Sequence, residues 1–288
     1  IYNVTGGGTY CAGGGGSSVG LSGSDAGVNY QLMIGGTSVG AAVAGTGSPI
    51  SFGTLYTAAT YTVVATNATT GCVNNMNGSA TITVTVLPTV YNMTGGGAYC
   101  FGGSGMTVGL TGSNAGISYQ LYHDGAIYGS PMAGTGTPIT FGTFTGAGTY
   151  TVVATNTTTT CTNNMAGTSV IVINPLPTAY TVTGGGLNCS GGPGVHIGLS
   201  NSTIGVNYTL VGTGITLPGT GSALDFGLIS TAGTYTVTAQ NVTTTCFNTM
   251  IGSASVTTGA LPNAYTMTST GNPYCAGGAG VTINISGS

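Results

Sequence analysis

The chain contains no lysine, no arginine and no tryptophan, and only three acids and two histidines among its 288 residues. Charged residues make up 1% of it, with a formal net charge of −3, against roughly 25% in ordinary domains. Without cations it cannot neutralise phosphates and release their counterions, which excludes nucleic acid as a partner by the usual route. Attachment to acidic lipid headgroups fails for the same reason. Acid–base catalysis needs titratable groups gathered in one place, and five scattered along the chain argue against an enzyme.

Long apolar runs are missing too. Thr and Ser interrupt every apolar stretch, so none reaches the ~18–20 residues of a membrane-spanning helix, and no membrane insertion is expected. Ile1 does not open a basic segment followed by an apolar one, so no signal peptide is visible; a start without Met suggests a processed chain or an excised segment. Yet 41% of residues are hydrophobic and the mean hydropathy is +0.38, too apolar for a disordered chain.

What the chain has is a repeat. Tyr2-Asn3-Val4-Thr5-Gly6-Gly7-Gly8 through Cys11 returns at Tyr91 through Cys100, at Tyr180 through Cys189 and, more loosely, at Tyr265 through Cys275. Tyr30, Tyr119 and Tyr208 keep the same register, as do Phe52, Phe141 and Phe226, and Met76, Met165 and Met250. Leu87-Pro88, Leu176-Pro177 and Leu261-Pro262 punctuate the joints. A unit of ~85–90 residues is domain-sized and too long for a solenoid repeat. The expected organisation is three domains, 1–87, 88–176 and 177–261, with 262–288 the opening strands of a fourth.

Apolar periodicity within a repeat is two. Val28, Tyr30 and Leu32 alternate with Asn29 and Gln31; Ile82, Val84 and Val86 alternate with Thr81, Thr83 and Thr85. Such alternation, rich in β-branched and aromatic residues, marks half-buried strands, and Gly clusters supply the turns. Six or seven short strands per repeat, with no helical spacing, predict an all-β chain of tandem immunoglobulin-like β-sandwiches in an elongated array. Tyr61, Tyr150 and Tyr235 fit a tyrosine corner at the start of strand F, with the phenol bonded back to the backbone.

The thiols fall at 11, 72, 100, 161, 189, 246 and 275, two per full repeat and separated by 61, 61 and 57 residues. That regularity predicts one disulfide inside each domain, Cys11–Cys72, Cys100–Cys161 and Cys189–Cys246, and leaves Cys275 unpaired in this segment. Two isolated cysteines do not complete a four-ligand zinc site, so no metal is expected. Disulfides imply an oxidising setting, extracellular or at the cell surface.

These residues resemble a known family. Tyr99-Cys100, Tyr119-Gln120-Leu121, Ala147 to Asn156, Cys161 and Pro175-Leu176-Pro177 look like the immunoglobulin-like repeats of very large Bacteroidetes cell-surface proteins, among them gliding-motility adhesins of the SprB type. The resemblance implies an exported, disulfide-bonded, elongated fibre used for adhesion or surface display, with no catalytic residues and no cofactor.

Asp25, Asp124 and Asp225 occupy different positions in their repeats, whereas a calcium site needs six to eight oxygens and several carboxylates. His123-Asp124-Gly125 reads as a hairpin turn, and His196 as a surface residue on a strand. The Gly triplets lack the Lys of a phosphate loop. Asn-x-Ser/Thr triplets, including those at Asn3, Asn67, Asn92 and Asn241, arise readily in so Asn- and Thr-rich a chain. Near-neutral surfaces and lysine-free edge strands favour association, so the expected partners are copies of the chain, lateral or end-to-end. Surface glycans, bound by Tyr10, Tyr99 and Tyr274 at expected loop tips, are a further candidate.

Overall fold

A computed structural model describes every residue except Gly271, Asn272, Tyr274 and Ser288, and all regular structure among the described residues is β. In the first repeat Val4–Gly6, Ser17–Leu21 and Ile50–Leu55 form one antiparallel sheet, in that order. The second sheet runs Gly8–Cys11, Ala80–Thr85, Ala59–Asn67, Val28–Ile34, Thr37–Ala44, and Val73–Asn75 also pairs with Ala59–Asn67. Gly8–Cys11 lies parallel to Ala80–Thr85, whereas every other pairing in that sheet is antiparallel. This is the strand order of an immunoglobulin-like sandwich, and the second repeat follows it. In the third repeat the strand opening at Gly233 is interrupted after Tyr235, so the second sheet divides into Gly186–Cys189, Ala254–Gly259, Gly233–Tyr235 and Thr216–Pro218, Val206–Leu210, Val237–Asn241, Phe247–Thr249.

The first repeat has nine strands rather than the six or seven expected, partly because the Gly triplet cuts the opening strand in two. Gly6, Gly7 and Gly8 have φ of 91°, 81° and 136°, a left-handed run that carries the chain from one sheet to the other. A Cβ on Gly6 would collide with the Ser18 carbonyl, and one on Gly7 would lie 2.7 Å from the Thr81 oxygen. The triplet is a crossing point, repeated at Gly95–Gly97 and Gly184–Gly186.

Period-two alternation places the expected side chains inward. Tyr30, Leu32, Tyr61, Val63 and Ile82 are buried in the first repeat; Tyr119, Leu121, Tyr150, Val152 and Ile171 in the second; Tyr208, Leu210, Tyr235, Val237 and Val256 in the third. The three cores fall within 1–87, 88–176 and 177–261. By compactness the chain forms two units, residues 1–99 with 103–172 and residues 100–102 with 173–288; the first holds two cores and the second one. Past the third core, Met267–Thr270 pairs with Thr282–Ile285, and the described residues from Leu261 onward are exposed.

The phenols of Tyr61, Tyr150 and Tyr235 donate to the carbonyls four residues back, at Thr57, Gly146 and Thr231, over 2.8, 3.0 and 2.9 Å. Each bond ties the turn before strand F to the buried ring above it.

Candidate functional site: the cysteine junctions

Each repeat carries its two cysteines at opposite ends of the sandwich. Cys11 closes the strand Gly8–Cys11 opposite Thr85. Ala80–Thr85 runs back along Ala59–Asn67, with Tyr61 opposite Ala80, and Cys72 lies beyond Asn67, just before the Val73↔Thr66 pair. The two levels differ by about ten residues of strand, roughly 30 Å at ~3.3 Å per residue, whereas bridged Cα atoms lie within ~7 Å. The expected Cys11–Cys72, Cys100–Cys161 and Cys189–Cys246 pairs are therefore corrected: they would have to span the long axis of a sandwich.

The structure pairs Cys11 with Cys161 and Cys100 with Cys246, each with Cα atoms 5.6 Å apart. The rule is one step out of register. A strand-end cysteine in one repeat bonds the turn cysteine of the next. Among the described residues Cys72, Cys189 and Cys275 are free and exposed.

The first junction shows why the ends meet. Cys161 is 1% exposed, and its Sγ lies 2.9 Å from Thr85 Oγ1, the hydroxyl at the end of the strand beside Cys11. Asn163, two residues on, donates its Nδ2 to the Pro88 carbonyl at 2.9 Å. In the other unit Cys246 is 0% exposed, and Asn248 donates to the Pro177 carbonyl at 2.9 Å. Pro88 and Pro177 are buried. The Leu87-Pro88 and Leu176-Pro177 joints are therefore structural: each presents a backbone carbonyl that the following repeat reads with an asparagine.

The acids and histidines are dispersed. Asp25 accepts from the Tyr2 phenol at 2.7 Å, and its amide donates to the Tyr30 phenol at 2.9 Å. Asn114 takes the same two bonds with Tyr91 and Tyr119, and Thr203 the same pairings with Tyr180 and Tyr208. Three chemically different side chains fill one role, closing a loop over a buried tyrosine, and the role needs only an oxygen. The carboxylate at Asp25 holds the Tyr2 phenol above its usual pKa, chiefly through that hydrogen bond.

Asp124 sits in the turn at φ 48° with Gly125 at 82°, accepts from the Thr149 amide at 2.8 Å, and lies 3.4 Å from His123. His123 stacks on Tyr150 with ring centroids 4.4 Å apart. Sequence reasoning missed one pairing. His196 Nδ1 and Asp225 Oδ2 are 2.8 Å apart on neighbouring strands. The Gly227 amide first, and His196 second, lower the Asp225 pKa. Both side chains are mostly exposed, and among the described residues no three His, Cys, Asp or Glu gather as a metal site.

Tyr10 and Tyr99 are not at loop tips. They lie on strands, half-buried, and their phenols donate to the carbonyls of Tyr56 and Thr145. Tyr274 lies outside the described residues.

No protein-family model matches the chain, and no curated protein matches its sequence. Among solved structures it is similar to the mouse nectin-like molecule 4 full ectodomain (Ig1–Ig3), at 12% identity over 82% of this chain and 91% of that one, TM-score 0.34. It is similar to three N-terminal domains of the bacteriophage RB49 Highly Immunogenic Outer Capsid protein, at 12% identity over 91% and 99%, TM-score 0.33. An ICAM-5 D1–D4 ectodomain fragment gives 12% over 89% and 73%, TM-score 0.38. At these scores the likeness adds nothing to the assignment, which rests on the strand order.

Proposed function

We propose that this chain is part of a non-enzymatic, extracellular structural fibre, a stalk or adhesin of the kind formed by immunoglobulin-like repeats in large Bacteroidetes surface proteins. The observation that carries this reading is the staggered pairing of Cys11 with Cys161 and Cys100 with Cys246. A disulfide within a domain stabilises that domain; one between consecutive repeats fixes their attachment, which serves a load-bearing array. Disulfides of this kind persist in oxidising compartments, and the short proline joints favour an extended path over a floppy one.

The test is location. An antibody to the folded repeats should label intact, unpermeabilised cells that make the protein, and shaving those cells with an external protease should remove the signal. Labelling only after permeabilisation would sink the reading.

A second reading, a sheath built by lateral packing, draws support from the edge strands. Thr37–Ala44 ends its sheet in the first repeat, with no charged residue along its eight, and charge on an edge is what normally deters pairing. Micrographs showing only single beaded strings would count against it. Glycan binding has less support, since the phenols of Tyr10 and Tyr99 already serve backbone carbonyls.

A further inference from the structure

The two closed junctions match in their bonds and differ in what surrounds them. At the first, Cys11 is followed by Ala12, and the receiving repeat carries Ala115, Thr157 and Thr162 around its turn cysteine, Cys161. At the second, Cys100 is followed by Phe101, and the same three places hold Ile204, Val242 and Phe247 around Cys246. Four small or polar residues at one junction are four large apolar ones at the other. None of the four is packed away: Phe101 is 68% exposed, Ile204 76%, Val242 56% and Phe247 70%. The in-chain bond does not need these side chains, since the first junction closes with alanine and threonine in their places.

The fold gathers them at one turn. The Val242 amide donates to the Gly205 carbonyl at 3.0 Å, next to Ile204. The Asn241 amide closes the turn by donating to the Cys246 carbonyl at 2.8 Å. Phe247 follows and pairs with Gln240, and the Cys100–Cys246 bond, with Cα atoms 5.6 Å apart, brings Phe101 to the same turn. All four belong to the compact unit of residues 100–102 and 173–288. Two phenylalanines of roughly 200 Å² each, with an isoleucine and a valine, leave roughly 500 Å² of apolar surface open here, as much as the largest patch of an ordinary soluble monomer.

We propose that this patch is a contact between two copies of the chain, each presenting the same surface to the other about a two-fold axis. An apolar surface is complementary to its own copy. The segments that carry it, residues 100–102, 203–205 and 241–248, contain no acid or histidine to recruit a charged partner or to repel a like one. The patch is also continuous with the interface that the second junction already forms inside the chain. Covering it on both copies removes roughly 1,000 Å² from water, the size a specific interface must clear. Chains so joined pair side by side at the second junction and leave the first one bare. This deepens the lateral-packing reading and rests on it for the partner, a second copy, but it places the contact at a junction rather than along an edge strand.

The experiment uses the full oxidised chain with Cys72, Cys189 and Cys275 alkylated, so that no new disulfide joins copies, and follows sedimentation velocity through a dilution series. The expected result is a reversible monomer–dimer equilibrium. Giving the second junction the residues of the first (Phe101→Ala, Ile204→Ala, Val242→Thr and Phe247→Thr together) should abolish the dimer, and Phe247→Thr alone should weaken it about tenfold or more. Recovery of the Cys100–Cys246 peptide by mass mapping shows that the variants still fold and close the junction. A dimer that survives the four substitutions overturns the proposal while leaving lateral packing in place, with the edge strand Thr37–Ala44 as its seat. A parent chain that stays monomeric throughout overturns the proposal and the lateral reading together.

Discussion

Cys11 and Cys161 lie 150 residues apart in sequence and 5.6 Å apart at their Cα atoms. Their bond joins the end of one sandwich to a turn of the next, so the covalent connectivity of the protein is a staggered ladder laid over a linear chain.

Closing a loop of about 150 residues stabilises by about 5 kcal/mol in the chain-entropy model. Cys11→Ser should therefore lower the melting temperature of the oxidised protein, and reductant should bring the parent chain down to match. Cys72→Ser removes an exposed free thiol and should leave melting of the monomer unchanged. Calorimetry of the two variants decides it; equal losses would mean that Cys72 is bonded within its own chain.

Stretching reports the same ladder by length. The shortest covalent route from Ile1 to Ser288 runs from 1 to 11, crosses to 161, returns to 100, crosses to 246 and continues to the end. It covers about 40% of the chain, and extended residues span ~3.3–3.6 Å each. Pulled from its termini, the oxidised monomer should reach about 40% of the extension of the reduced one. Three disulfides confined to single repeats would give a different set of release lengths.

The Gly triplet makes a sharper test of the backbone. Gly6→Ala puts a Cβ into the Ser18 carbonyl at a left-handed φ and should cost about 3 kcal/mol or more, from conformational strain plus overpacking. Gly13 has a similar φ of 77° with nothing within 4 Å of an added Cβ, so Gly13→Ala should cost only about 1–2 kcal/mol. Denaturant titrations showing equal losses would mean that the sheet crossing tolerates a side chain.

Stability should be nearly flat between about pH 5 and 8, because the chain holds so few ionisable side chains of the kind that titrate there. The Asp225 pKa is lowered by the Gly227 amide and then by His196, so its contribution is present above the ordinary Asp value near 3.9 and is lost as pH falls through the lowered one. For so exposed a pair it amounts to less than about 1 kcal/mol, and Asp225→Asn should remove it. Burial raises the Tyr119 and Tyr150 phenols. Their contribution is whole below about pH 10 and is lost as pH climbs through the raised values. Melting followed across pH 2–12 should show both limbs, and a steep change near neutrality would contradict the assignment.

The alternation of Tyr30 and Leu32 with Asn29 and Gln31 was enough to place the two apolar side chains in a core, because period two on a strand leaves no other choice of face. Tyr150 announced its corner through its place at the head of a long strand, and Asp124-Gly125 its turn through local φ preferences. The His196–Asp225 pair was not legible, since the two lie 29 residues apart and meet diagonally across a register shift between neighbouring strands, where His196 faces Leu228 and Asp225 faces Gly198. Cysteine spacing misled for a related reason: an even interval fits pairing within a repeat and pairing between repeats equally well.

Local chemistry along the chain determined the strands, the turns, the tandem cores and the near-absence of charge, because each depends on neighbours within a few residues or on composition alone. Which sulfurs meet was decided by the fold. The parallel pairing of Gly8–Cys11 with Ala80–Thr85 puts the two cysteines of a repeat at opposite ends, and a rigid sandwich roughly 30 Å long holds them apart while bringing each within reach of its neighbour.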